Sequence, residues 1–155
     1  MKKCIALAVS AVLLLVSGCA QGGAAAARRV EDADVVAQAV LQCGVFTDEL
    51  VRAPDDVVGE YYKLDDTVTD HAIYISGTGA TAQEVAVLIT GGEESAMEIL
   101  ARRLEDLELR FANYVPGEMN KIQNPVFITG DGVVVMALSD DPDAARDAVE
   151  EALEG

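Results

Sequence analysis

Glu84-Val85-Ala86-Val87-Leu88-Ile89-Thr90 is apolar at every position between its ends and β-branched at Val85, Val87 and Ile89. Such side chains fit a pleated, buried surface, so the run reads as a strand in the middle of a sheet. Ser76-Gly77-Thr78-Gly79 separates it from an earlier strand, His71-Ala72-Ile73-Tyr74-Ile75, and Gly91-Gly92 ends it. A long helix follows, from about Glu93 to Asn113. Met97, Leu100, Leu104, Leu107 and Phe111 recur there at alternating steps of three and four, one apolar face for the sheet. Glu93 and Glu94 stand at its positive end, where the helix dipole favours them, and Pro116-Gly117 stop it.

Further on, Met119 to Asn124 reads as a turn. Val126 to Thr129, then Gly130-Asp131-Gly132, then Val133 to Leu138 has the pattern of a hairpin. Asp140 or Asp141 caps a last helix, from about Asp143 to Leu153, with Pro142 near its first turn. Before the first strand, Asp32 caps a helix running to about Cys43, with Gly44 as its C-terminal cap. Cys43 falls at helical spacing with Val36, Ala39 and Val40, which predicts a buried, apolar role. Phe46 to Val51 reads as a short helical turn capped by Thr47. Pro54-Asp55-Asp56 breaks the chain, and Val57 to Leu64 is loop or another short turn. The order α-β-β-α-β-β-α predicts an α+β domain, a mostly antiparallel four-stranded sheet with helices packed on one face.

The first residues carry a different kind of information. Lys2 and Lys3 precede the apolar run Ile5 to Val16, which is shorter than the roughly 20 residues a membrane span needs. Leu15-Val16-Ser17-Gly18-Cys19 ends that run. These features, in this order, resemble a bacterial lipoprotein precursor. The resemblance implies cleavage between Gly18 and Cys19 and diacylation of Cys19. Two acyl chains hold a protein stably where one does not. The expected organisation is a signal over residues 1–18, a lipidated small-residue linker over 19–29, and a single domain over 30–155.

Past residue 18 the chain has 27 acidic residues against 9 basic ones, a net charge of −18. That excludes nucleic acid as a natural partner, because phosphate binding depends on Lys and Arg, and opposes lying flat on anionic lipid. Of the cysteines, Cys4 leaves with the signal and Cys19 is acylated, so Cys43 is left without an internal partner.

The candidate sites have plain alternatives. Gly77-Thr78-Gly79-Ala80-Thr81-Ala82 matches a loose dinucleotide pattern, but the next strong element is a strand where that fold needs a helix. Asp140, Asp141 and Asp143, with Asp147, are weak Ca²⁺ candidates, as are Asp65, Asp66 and Asp70. Neither group has the EF-hand loop, and helix capping and solvated loop explain them. His71 has no second histidine and no nucleophile-elbow partner, so neither a catalytic residue nor a cofactor is assigned. Tyr61, Tyr62, Tyr74 and Tyr114 suit a sugar- or peptide-binding surface, and equally a half-buried setting with hydroxyls at the rim.

Several stretches together, Leu15 to Cys19, Val57 to Asp65 with Tyr61-Tyr62, Tyr74-Ile75-Ser76-Gly77, Ala80 to Val87, Asn113 to Glu118 and Ser139-Asp140-Asp141, resemble the lipoprotein family of domain of unknown function 4358. That resemblance covers nearly all of the chain past Cys19. It implies an exported, membrane-tethered domain and supplies no catalytic residues. The expected function is a non-enzymatic accessory domain on the extracytoplasmic side of the cell membrane, binding an envelope protein or glycan. A small-ligand or calcium-binding lipoprotein is the alternative, and an envelope hydrolase comes last.

Overall fold

A computed structural model describes residues 30–154. The expected signal, the lipidation site at Gly18 and Cys19, and the linker lie outside these residues. The elements are α1 (Ala33–Gln42), β1 (Leu50–Arg52), α2 (Asp55–Tyr61), β2 (Val68–Ser76), β3 (Glu84–Thr90), α3 (Glu93–Phe111), a 3-10 turn (Pro116–Glu118), α4 (Met119–Gln123), β4 (Val126–Gly130), β5 (Val133–Leu138) and α5 (Pro142–Glu154). The strands form one sheet in the order β1-β2-β3-β5-β4, every neighbouring pair antiparallel. β3 is central and buried at all of its positions.

The sheet has five strands, where four were expected. Leu50–Arg52, of which Leu50 and Val51 were expected in a helical turn, pairs with Ser76, Ile75 and Tyr74. β2 is nine residues long and exposes an edge, and the ladder bonds available there outweigh a weak local preference for a turn.

The helices also cover both faces, not one. α1 and α5 pack on Ala72, Val85, Val87, Val133, Val135 and Ala137. α2, α3 and α4 pack on Ile73, Ala86, Leu88, Val134, Met136 and Leu138. Side chains alternate across a strand, so β3 and β5, apolar at consecutive positions, present two surfaces that must both leave water.

Asp32 caps α1 as expected, accepting from the N–H of Asp34 at 2.9 Å and of Val35 at 3.3 Å. Cys43, however, is exposed. The buried stripe is Ala33, Val36, Ala37 and Val40. α1 ends at Gln42, so Cys43 caps the helix beyond the stripe, its thiol donating to Ala39 O at 3.3 Å. The hairpin closes on Asp131 and Gly132, with φ of 53° and 82°, between the paired Gly130 and Val133. Positive φ at both central residues is the type I′ turn that Asp-Gly favours.

The ends of the sheet differ in what they carry. The described chain enters at one end, where the Ala33 N–H donates to Asp70 at 2.9 Å and Val30 shares a small cavity with Ile128 and Thr129. Ser76, Glu84 and Leu138 stand at the other.

Candidate functional site

At that second end, a buried ion pair sits between β3 and α3. Glu84 shares its side of the strand with Ala86 and Leu88, and Arg103 lies on α3 between Leu100 and Leu107. Arg103 Nε donates to both carboxylate oxygens of Glu84 at 3.1 and 3.2 Å, and Nη2 to Oε2 at 2.7 Å. The side chains are 6% and 2% exposed. The Tyr62 hydroxyl donates to the same carboxylate. Burial works against the Arg103 charge, but Glu84 outweighs it and holds the guanidinium above its ordinary pKa. Burial, then the Glu84 charge, push the Tyr62 hydroxyl well above its usual value. The guanidinium carbon lies 5.2 Å from the Tyr61 ring centre and 5.4 Å from that of Tyr62, within cation–π range of both.

Tyr61, the last residue of α2, is 36% exposed and reaches the surface above this cluster. With Arg103 it lines a groove of about 610 Å³ whose flanks are Glu60, Lys63, Asp106 and Arg110. Lys63 takes a left-handed φ of 50° and donates its N–H back to Val58 O at 3.3 Å, which ends α2 at the groove. Tyr61, Arg103 and Arg110 also border an adjoining cavity of about 240 Å³, lined by Val57, Leu107 and Phe111. Arg110 lies over the Phe111 ring at 5.7 Å and against the β2–β3 loop. A Cβ on Gly79, whose φ is +67°, would stand 3.3 Å from Arg110 Nη2.

Polar side chains pin the loops around this end. Asp48 accepts from Ser76 Oγ at 2.5 Å and Thr81 Oγ1 at 2.8 Å, and these bonds lower its pKa. Gln83 Oε1 accepts from the N–H groups of Thr47 and Asp48, each at 3.0 Å, and its Nε2 donates to Asp140 at 2.6 Å. Lys121 Nζ bridges Glu118 at 2.9 Å and Asp140 at 2.6 Å. Burial opposes the Lys121 charge, but its bonds to Asp140 and Glu118 raise its pKa overall. Asp140 is lowered, first by Lys121 and then, against its own burial, by Thr47 and Gln83. Glu118 also accepts the Ala82 N–H at 2.8 Å.

The four tyrosines do not share a surface. Tyr61 lines the groove, but Tyr62 is 1% exposed within the core. Tyr74 lies on the α1 face, its hydroxyl donating to Asp34 at 2.7 Å and accepting from Gln38 at 2.6 Å. Tyr114 is 85% exposed beyond α3. Asp141 caps α5 through the Ala144 N–H at 3.0 Å, and Asp143 lies in that helix's first turn. With Asp140 held by Lys121, Thr47 and Gln83, the Asp140 and Asp141 carboxylates serve protein donors. Asp65 accepts from Thr67 and Ser95, and Asp70 from Ala33. Among the described residues no group of three His, Cys, Asp or Glu is arranged for a metal, and no helix is long and apolar enough to cross a membrane. His71 lies in β2, and Gly77 to Ala82 joins two strands without opening a helix.

Glu84 and Arg103 were missed in the sequence, although a signal exists. Arg103 occupies a position that the helical period between Leu100 and Leu107 assigns to the core, and Glu84 has the parity of Ala86 and Leu88. Opposite charges at two core positions call for each other.

A model of the family described as Domain of unknown function (DUF4358) matches residues 46–139. The match is narrower than the resemblance implied, beginning after α1 and stopping before α5. No curated protein and no solved structure matches the chain.

Proposed function

Since the chain belongs to this family, whose description assigns no activity, we propose that it is a membrane-anchored, extracytoplasmic accessory domain, held by a diacylated Cys19, that binds an envelope protein or glycan. The observation that carries this reading is the groove over Tyr61. Binding sites are concave and largely preformed, with a few polar groups at fixed positions. Here Glu84 fixes Arg103, and Arg103 backs the Tyr61 ring. The position of the groove suits a tethered protein. The chain enters at the Asp70 end, and the groove opens at the Glu84 end, about 20 Å away along a seven-residue strand. A tether joined to the first end does not cover the groove.

The test is photo-crosslinking in living cells from a reactive residue at Lys63, in the groove, and at Glu150, on α5, with Cys19→Ala as the unanchored control. The expected result is one dominant species captured from Lys63 only, and only by the anchored form. Equal capture from both positions, or none that is reproducible, overturns the proposal.

A further inference from the structure

We infer that the groove between α2 and α3 is a glycan site, with the Tyr61 ring as its stacking platform and a neutral oligosaccharide as its occupant; this deepens the binding reading above and rests on it. The ring is set before any ligand arrives. It lies against the Arg103 guanidinium at 5.2 Å, and three hydrogen bonds from Arg103 to Glu84 hold that guanidinium. A prepaid geometry of this kind lowers the ordering cost of binding.

Charge balance selects the ligand class. Each wall carries one charge of either sign, Glu60 and Lys63 at the end of α2 and Asp106 and Arg110 on α3, and Arg103 is balanced by Glu84. The groove is therefore neutral in a chain that carries −18 past residue 18. A polyanion finds no local excess of cations to offset the repulsion of the whole, and a polycation finds no local excess of anions. A sugar ring has an apolar C–H face for Tyr61. Around its rim are hydroxyls that both donate and accept, matching the donors Lys63 and Arg110 and the acceptors Glu60 and Asp106. An extended peptide fits less well, because the groove lies between two helices and offers no strand edge to pair with it. The volume, about 610 Å³, lies in the range of small-molecule sites.

The probes are the tetramer of β-1,4-linked N-acetylglucosamine and that of β-1,4-linked glucose, titrated into the full lipidated protein in detergent micelles. Calorimetry reads binding, and a ligand-induced change in tyrosine emission that disappears in Tyr61→Phe reports this ring among the chain's four tyrosines, with no Trp to mask it. The expected result is binding of at least one tetramer with a Kd of about 1 mM or tighter. Tyr61→Ala should weaken it at least about tenfold, whereas Tyr61→Phe, which keeps the ring, and Tyr114→Ala should bind as the parent does. Asp106→Asn with Lys63→Met repeats the test without touching the buried cluster, and should also weaken binding. No binding of either tetramer overturns the inference, as does undiminished binding by the Tyr61→Ala and double variants. Silent tetramers together with a single protein captured from Lys63 sink the glycan reading and leave the accessory reading standing. Silence in both experiments sinks both.

Discussion

On one face of the sheet, α1 and α5 set Ala33, Ala37 and Ala145 against Val85, Val87 and Val135. On the other, α2 and α3 enclose Glu84 and Arg103 among Leu88, Leu100 and Leu107. The first face buries no charged side chain among the described residues, and its small helix residues let backbones approach the sheet closely. The second face carries a buried ion pair, and a pair of that kind contributes little net stability because desolvation offsets its attraction. What it contributes is position: it holds a tyrosine ring at the surface. The family match follows the same division, since residues 46–139 include α2, α3 and α4 and neither α1 nor α5.

The largest expected effect tests that reading of the ion pair. Glu84→Leu leaves Arg103 buried without its counterion and should cost about 3–5 kcal/mol in urea unfolding. Glu84→Leu with Arg103→Met should recover part of that loss, the share that belongs to the unpaired charge, while the buried Tyr62 hydroxyl still lacks its acceptor. If the double variant is as unstable as the single one, the pair is a stability element and the contrast between the faces fails.

On the opposite face, Ala37→Leu should cost about 1–3 kcal/mol by overpacking α1 against the sheet, with groove binding unchanged. A loss of binding there would show that the two faces are coupled.

Acid should act on the groove end before the apolar face. Asp48 and Asp140 have pKa values lowered in the folded protein, by Ser76 and Thr81 for the first and by Lys121 for the second. Their contribution is therefore present above the unfolded value near 4 and is lost as pH falls through the lower folded values. Lys121 and Tyr62 are raised, so the domain should also weaken as pH climbs past about 10, the unfolded range of both groups. Melting temperature against pH should show a plateau between these limits. Hydrogen exchange at about pH 3 should show the 77–83 loop losing protection before β3 and β5, and simultaneous loss would contradict the division.

Smallest is Tyr61→Ala, which should cost only about 0.5–1 kcal/mol, the worth of an exposed cation–π contact. A larger cost would mean that Tyr61 holds the fold and is not chiefly a surface platform.

The strongest elements of the fold were legible because their causes are local. β3 announces itself by consecutive apolar residues and appears with the expected bounds, and α3 by its repeat from Met97 to Phe111. The Asp131-Gly132 turn is written in residues that accept positive φ. β1 was not legible, because Leu50–Arg52 is extended only where the edge of β2 receives it. Of the site, Tyr61 was found but grouped with three tyrosines that the fold scatters, and the Glu84–Arg103 pair that positions it was passed over.

By itself the sequence determined the element types along most of the chain, the central strand, the acidic charge and the one-hairpin C-terminal half, since propensity, period and turn chemistry act over a few residues. Tertiary structure alone decided that helices cover two faces, that Cys43 stays outside, and that Tyr62, Glu84 and Arg103 meet. Those outcomes depend on which surfaces close on one another, and that depends on pairing and packing between residues about 20 positions apart or more.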